Sequence, residues 1–229
     1  MKSIASAFLA GLTLTLASGA ALAQAYPSKP IRWVVPYPAG GGSDFLARTI
    51  GQQLTTQIGQ SVVVENKPGG NTAIAASDVA RAPADGYTML SADNGTMTFN
   101  TALYSKLTYN PDKDLTPVTL MGRFPMILVA GPSADAKSAK DFLAKAKAAP
   151  GKISYGSAGA GSPHHLAMEM LKSRTGVHMV HIPYRGAAPA LADLAGGQIP
   201  VMMVDMAAGA AFIKSGKIRP LAVANDKRL

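Results

Sequence analysis

Short apolar runs alternate with amphipathic stretches along most of this chain. Continuous runs rich in Val and Ile fall at 31–35, 62–65, 87–91, 126–130, 153–155, 177–182, 199–204 and 218–223, and they read as buried strands. Helical spacing of apolar residues marks 43–58, 72–81, 138–148, 164–174, 187–195 and 207–214. In the first of these, Leu46, Ile50, Leu54 and Ile58 recur at steps of four, Ser43 or Asp44 offers an N-cap, and Gly59 offers the stop. Strand–helix alternation of this kind predicts an α/β fold of parallel sheets covered by helices on both faces. One stretch breaks the alternation. Residues 114–132 run strand-like with no helix between, as a crossover joining two lobes would. The last strand, 219–223, is placed to carry the chain back toward the first lobe.

The N-terminus has a different character. Lys2 opens a short positive region, an apolar stretch follows from Ile4 to about Leu16, and Ala21-Leu22-Ala23 supplies a small-residue cleavage pattern. Thr13, Thr15, Ser18 and Gly19 interrupt that stretch, which falls short of the roughly 20 apolar residues of a spanning helix. Residues 1–23 therefore read as a secretory signal cleaved after Ala23, with an exported, periplasmic product starting at Gln24. Without Lys2 the product carries 21 Lys and Arg against 13 Asp and Glu, a net charge of +8. Those cations are scattered, which argues against a nucleic-acid partner, and the group Lys137, Lys140, Lys145 and Lys147 reads as a solvated helix face. The positive field is compatible with steering small anions. Cysteine is absent, so an exported chain of this composition must be held by its core rather than by disulfides.

Two loops stand out chemically. After the first strand comes Tyr37-Pro38-Ala39-Gly40-Gly41-Gly42-Ser43-Asp44, and after the fifth comes Ser157-Ala158-Gly159-Ala160-Gly161-Ser162; each runs into a helix. Small residues let a ligand approach the backbone, and free N–H groups at a helix N-terminus favour an anion. Three successive glycines are costly to order, which makes them an odd choice for a plain turn. Neither loop is a nucleotide motif: Gly159-Ala160-Gly161 lacks the third glycine of G-x-G-x-x-G, and no G-x-x-x-x-G-K-[ST] occurs. Ser43, Ser157 and Ser162 all miss the G-x-S-x-G spacing of a hydrolase nucleophile. The four histidines, His164, His165, His178 and His181, do not form a convincing metal set, because His178 and His181 on one strand would point to opposite faces. No cofactor, metal or catalytic residue is assigned. Further candidates for ligand contact are Asn94 after the third strand, His165, Tyr184, Arg185 and Gly186 at the sixth strand's end, and Asp205 at the seventh's. Arg185 has an equally good structural reading as a partner of Asp193, and Asp205 as a cap for the helix that follows.

The strings YPAGGGSDFLAR (37–48), ENKPGGNTAIAASDVARAPADGYTML (65–90), YGSAGAGSPHHLAMEM (155–170) and PYRGAAPALADLAGGQI (183–199) are specific. With the signal, they resemble the Bug, or TctC-like, extracytoplasmic solute-binding receptors of tripartite tricarboxylate transporters, over essentially the whole chain. The resemblance implies a two-lobed, type II-like periplasmic-binding-protein (Venus flytrap) fold. It assigns residues 24–125 to lobe 1, 126–218 to lobe 2 and 219–229 to a return crossover. It also implies that backbone amides and ordered water from 37–44 and 157–162 hold a small organic carboxylate. The expected partners are that carboxylate and the membrane subunits of the transporter, with the receptor a monomer. Family members continue past the return strand to complete lobe 1, whereas this sequence stops at Leu229, so missing lobe contacts are expected to leave apolar surface exposed. An exported α/β hydrolase, or a carboxylate sensor feeding a signalling partner, remain the alternatives.

Overall fold

The computed structural model describes residues 26–227, so the signal reading of 1–23 lies outside the described residues. Strands β1 (Ile31–Val35), β2 (Val62–Asn66) and β3 (Thr88–Leu90) form a parallel three-stranded sheet in the order β2-β1-β3. Between β1 and β2 runs α1 (Gly42–Ile58), and between β2 and β3 runs α2 (Ala73–Ala80). Period-two alternation assigns the two faces of β1. Trp33 and Val35 pack with Ala47 of α1, and the Trp33 Nε1–H donates to Ser91 Oγ at 3.0 Å. Arg32 points the other way, where Arg32 and Lys67 pair with Glu65 and with Asp78 of α2.

Helix α1 ends at Gly59 in the left-handed conformation, as its sequence predicts. Its start differs from the expectation. The N-cap is Gly41, with no side-chain cap bond, and Asp44 lies in the first turn, where it accepts from the Gly40 N–H. The stripe of Leu46, Ile50, Leu54 and Ile58 is only half-buried. Small residues instead centre the contact with the sheet, because Gly51 rests against Val62 and Trp33, where a side chain would hold the helix away.

The second sheet has five strands in the order β6-β5-β7-β4-β8. They are β4 (Met126–Ala130), β5 (Ser154–Ser157), β6 (Val180–Pro183), β7 (Val201–Asp205) and β8 (Arg219–Val223). Four helices interleave with them: α5 (Ala139–Ala148), α6 (Pro163–Thr175), α7 (Ala187–Ala195) and α8 (Met206–Lys214); the short α3 (Asn100–Leu103) and α4 (Pro111–Asp114) belong to the first lobe. The prediction of purely parallel sheets fails here. β5 pairs parallel with β6 and β7, whereas β4 is antiparallel to both β7 and β8. The reason is the connection: residues 115–125 enter β4 directly, without the helical crossover that parallel neighbours require. β4 therefore starts beside the carboxyl end of β7, Met126 against Asp205, and β8 ends there too, Val223 against Ile127. Val118 and Leu120 in the connecting segment are exposed.

Alternation along β4 and β7 builds two cores. Ile127, Val129, Met202 and Val204 face α7 and α8, where Leu191 and Leu194 are fully covered. Leu128, Ala130, Val201 and Met203 face α5 and α6, meeting Phe142 and Met168. No helix among the described residues is long and apolar enough to cross a membrane.

Candidate functional site

Each lobe sends its strand ends to the same boundary. From the first come the loop after β1, the turn after β2 and the start of the segment after β3; from the second come the loops after β5 and β6 and the end of β7. A ligand in an open α/β sheet sits at such carboxyl ends. Contacts across the boundary are close. A Cβ on Gly42 would overlap the Asp205 carboxylate, one on Gly186 would lie 2.5 Å from Pro38 Cδ, and one on Gly161 would lie 2.5 Å from Asn71 Nδ2. Gly40 faces Ala188, and α1 packs on α8. Both glycine-rich loops therefore meet the opposite lobe.

The first loop is stapled from below. Asp44 accepts from the Gly40 N–H at 3.0 Å, from Arg48 Nε at 3.0 Å and from Asn66 Nδ2 at 2.9 Å, and Asn66 also donates to the Tyr37 carbonyl. Burial opposes the charge on Asp44, but these donors outweigh it and hold its carboxyl below the usual range. Asp44 is thus a loop anchor with its acceptor sites filled. The N–H groups of Gly41, Gly42 and Ser43 find no protein acceptor among the described residues. Ala39 and Gly40 are exposed at the rim. Tyr37 donates its hydroxyl to Asp93 at 2.6 Å, and burial, with Asp93 bonded and Asp205 nearby, pushes the phenol well above its ordinary value.

The second loop is arranged differently from the sequence expectation. The Gly159 N–H donates to Ser157 Oγ at 3.1 Å, and the Gly161 N–H donates to His165 Nδ1 at 3.1 Å, so neither glycine amide is free for a ligand. Ser162 is also committed, donating to the Gly159 carbonyl at 2.7 Å and capping α6 through the His165 N–H. The remaining donors are the amides of Ala158 and Ala160, which have no protein acceptor among the described residues. Gly159 and Gly161 serve through conformation, at φ +133° and +80°, where a side chain is strained.

Beneath this loop lies a stack that sequence spacing hid. The His165 and His181 rings are 4.0 Å apart and nearly parallel, and Tyr155 covers His181 at 5.0 Å. His181 Nε2 lies 2.7 Å from Ser157 Oγ. This is a serine beside a histidine, but Ser157 is fully buried and also bonds both backbone groups of Gly159, which makes it an anchor rather than a nucleophile. Burial pushes the His181 imidazole down to about 4 and lowers His165 as well.

At the sixth strand's end, Tyr184 rather than Arg185 holds Asp193, donating at 2.7 Å, and burial pushes the Tyr184 phenol up to about 12. Arg185 is exposed and makes no salt bridge among the described residues. Gly186, at φ +123°, lets the chain pass Pro38. Asp205 caps α8 by accepting from the Ala208 N–H at 2.9 Å, and its other oxygen lies 3.2 Å from His164 Nε2. Burial opposes its charge, yet the His164 and Ala208 bonds keep its carboxyl below the usual range. The Nδ1 of His164 is buried without a protein partner.

Sequence reading missed the lobe-1 wall of this boundary. Asn94 is exposed, while its neighbour Asp93 takes the Tyr37 hydroxyl and the Thr96 N–H. Asn71 and Thr72, two non-glycine residues, both sit at positive φ, 46° and 75°. Asn100 holds that turn through the Asn71 carbonyl and amide, and Thr96 donates to Thr72 Oγ1 at 2.9 Å. Strain over-determined in this way gathers at ligand clamps. The one local signal was Gly69-Gly70-Asn71, a run tolerant of left-handed backbone.

The model of the tripartite tricarboxylate transporter family receptor matches residues 46–229. Protein BugT of Bordetella pertussis is 36% identical over 207 residues, covering 90% of this chain and 64% of BugT. Among solved structures, Rpa4515 of R. palustris with adipate superposes with a TM-score of 0.87 at 38% identity, over 89% of this chain and 68% of that one. MatC from Rhodopseudomonas palustris with bound malate gives 0.83 at 30% identity, over 89% and 69%. The chain spans about two thirds of the length of the curated relatives it matches.

Proposed function

The chain belongs to the tripartite tricarboxylate transporter receptor family, the Bug/TctC type of solute-binding receptor, and we propose that it captures a small organic carboxylate in the periplasm for a membrane transporter. The observation that carries this reading is the pair of loops at the lobe boundary. The free amides of Gly41, Gly42 and Ser43 lie at the start of a 17-residue helix that packs through Gly42 against Asp205 of the opposite lobe, and those of Ala158 and Ala160 belong to the second loop. Each set favours negative charge through its N–H dipoles, and the first adds the α1 macrodipole. Parting of the lobe boundary would admit a ligand, re-closure of residues 126–218 over 24–125 would bring both sets onto it, and the ligand would favour the closed form by its extra contacts there.

Ligands named for the structural neighbours, adipate and malate, are carboxylates, in keeping with this chemistry. Export after cleavage at Ala23, and transport rather than turnover of the ligand, are parts of this reading that family membership supports. Calorimetric titration against mono-, di- and tricarboxylates, each beside its carboxamide, tests it. At least one acid should bind saturably while its amide does not. Equal binding of acid and amide would remove charge recognition from the account.

A further inference from the structure

The start of α1 does not face an empty wall. Asp205, 5% exposed at the carboxyl end of β7, sets its carboxylate directly against Gly42, with no room for even a methyl group between them. Its two oxygens accept one bond from Ala208 N–H and one from His164 Nε2. An ionised carboxylate has about four lone-pair directions, so acceptor capacity remains. Among the described residues no lysine or arginine pairs with it, and its one basic neighbour is the His164 ring. Unoccupied donors and an under-used acceptor thus lie side by side at the lobe boundary.

A plain carboxylate seated on the Gly41–Ser43 amides would meet this second carboxylate with nothing between them. Like charges so placed repel. A hydrogen-bond donor attached close to the ligand's carboxylate resolves both problems, because it fills the free acceptor site and separates the two anions. Asp205 and Gly42 are in van der Waals contact, so only a donor within a bond or two of the carboxylate carbon reaches both.

We propose that Asp205 makes this site selective for carboxylates bearing a hydroxyl or ammonium group on the adjacent carbon, 2-hydroxy or 2-amino acids. The inference rests on the reading of the cleft as a carboxylate site and deepens it. Family membership does not decide the point, since adipate has no such donor and malate has one.

Matched pairs test it on the protein by calorimetry: malate and aspartate against succinate, lactate and alanine against propionate, citrate against tricarballylate, mandelate against phenylacetate. The donor-bearing member of at least one pair should bind between about tenfold and a hundredfold tighter, the range of a hydrogen bond to a charged group. In Asp205→Ser, which keeps a capping hydroxyl for α8, that ratio should collapse toward one, with the plain acid binding more tightly than it does to the parent. Saturable binding of plain acids as tight as or tighter than their donor-bearing partners in the parent protein overturns this inference and leaves the carboxylate reading standing. No binding by any member overturns both, and the parent comparison decides even if the variant fails to fold.

Discussion

At the residue scale, the second loop depends on two neutral imidazoles. His165 Nδ1 can accept the Gly161 N–H only while it carries no proton, and His181 lies stacked on it at 4.0 Å, so charging either ring is costly. The charged groups around the pair are Glu169, whose carboxylate accepts from Tyr155 and Lys172, and Lys172 itself. Burial lowers both histidines, His181 to about 4. The folded chain therefore binds fewer protons here than the unfolded one. Stability is complete above the ordinary histidine value, about 6.5, and drains away as pH falls toward about 4. Thermal unfolding between pH 7.5 and 4 should show the melting temperature falling by several degrees through that window, and a His181→Gln chain should fall less steeply. Identical slopes in the two proteins would remove the stack from the acid response.

At the element scale, the helix starts differ in how they are capped. The helices α5, α6 and α8 have side-chain caps from Ser138, Ser162 and Asp205, while α1 and α7 begin at Gly41 and Gly186 with none. These two glycine starts face each other across the lobe boundary, Pro38 against Gly186 and Gly40 against Ala188. Gly41 has ordinary extended backbone, φ −86°, and the nearest atom to a Cβ there is Pro38 O at 3.9 Å. Gly41→Asp should therefore fold, cap α1 and gain a few tenths of a kcal/mol, while its carboxylate competes for the ligand's amides and weakens binding by more than tenfold. A stability gain with unchanged affinity would place the ligand elsewhere. Much of this scale was legible beforehand, since apolar runs located β1 and β4 and helical spacing located α7. Illegible were features set by tertiary contact: the direction of β4, the depth of α1 on its sheet, and the π-helical turn Gly95–Phe99 leading into α3. The two loops were visible as glycine runs, but which amides stay free depends on His165 and Ser157, whose partners lie far along the chain or across a loop.

At the scale of the whole molecule, two α/β units meet through strand ends, with the proposed charge recognition assigned to main-chain amides and the proposed selectivity to side chains such as Asp205. A competing location exists, a cavity of about 450 Å³ between Ser133, Lys145, Lys152 and Gln198. It opens at the amino-terminal ends of β5 and β7, where Lys145 is already paired with Asp135. A crystal structure of the protein with the tightest carboxylate from the titration separates the two. Ligand density is expected on the Gly41–Ser43 amides, enclosed by Ala158–Ala160 from the other lobe; density in the far cavity, with the two loops unoccupied, would contradict the carboxylate-receptor proposal.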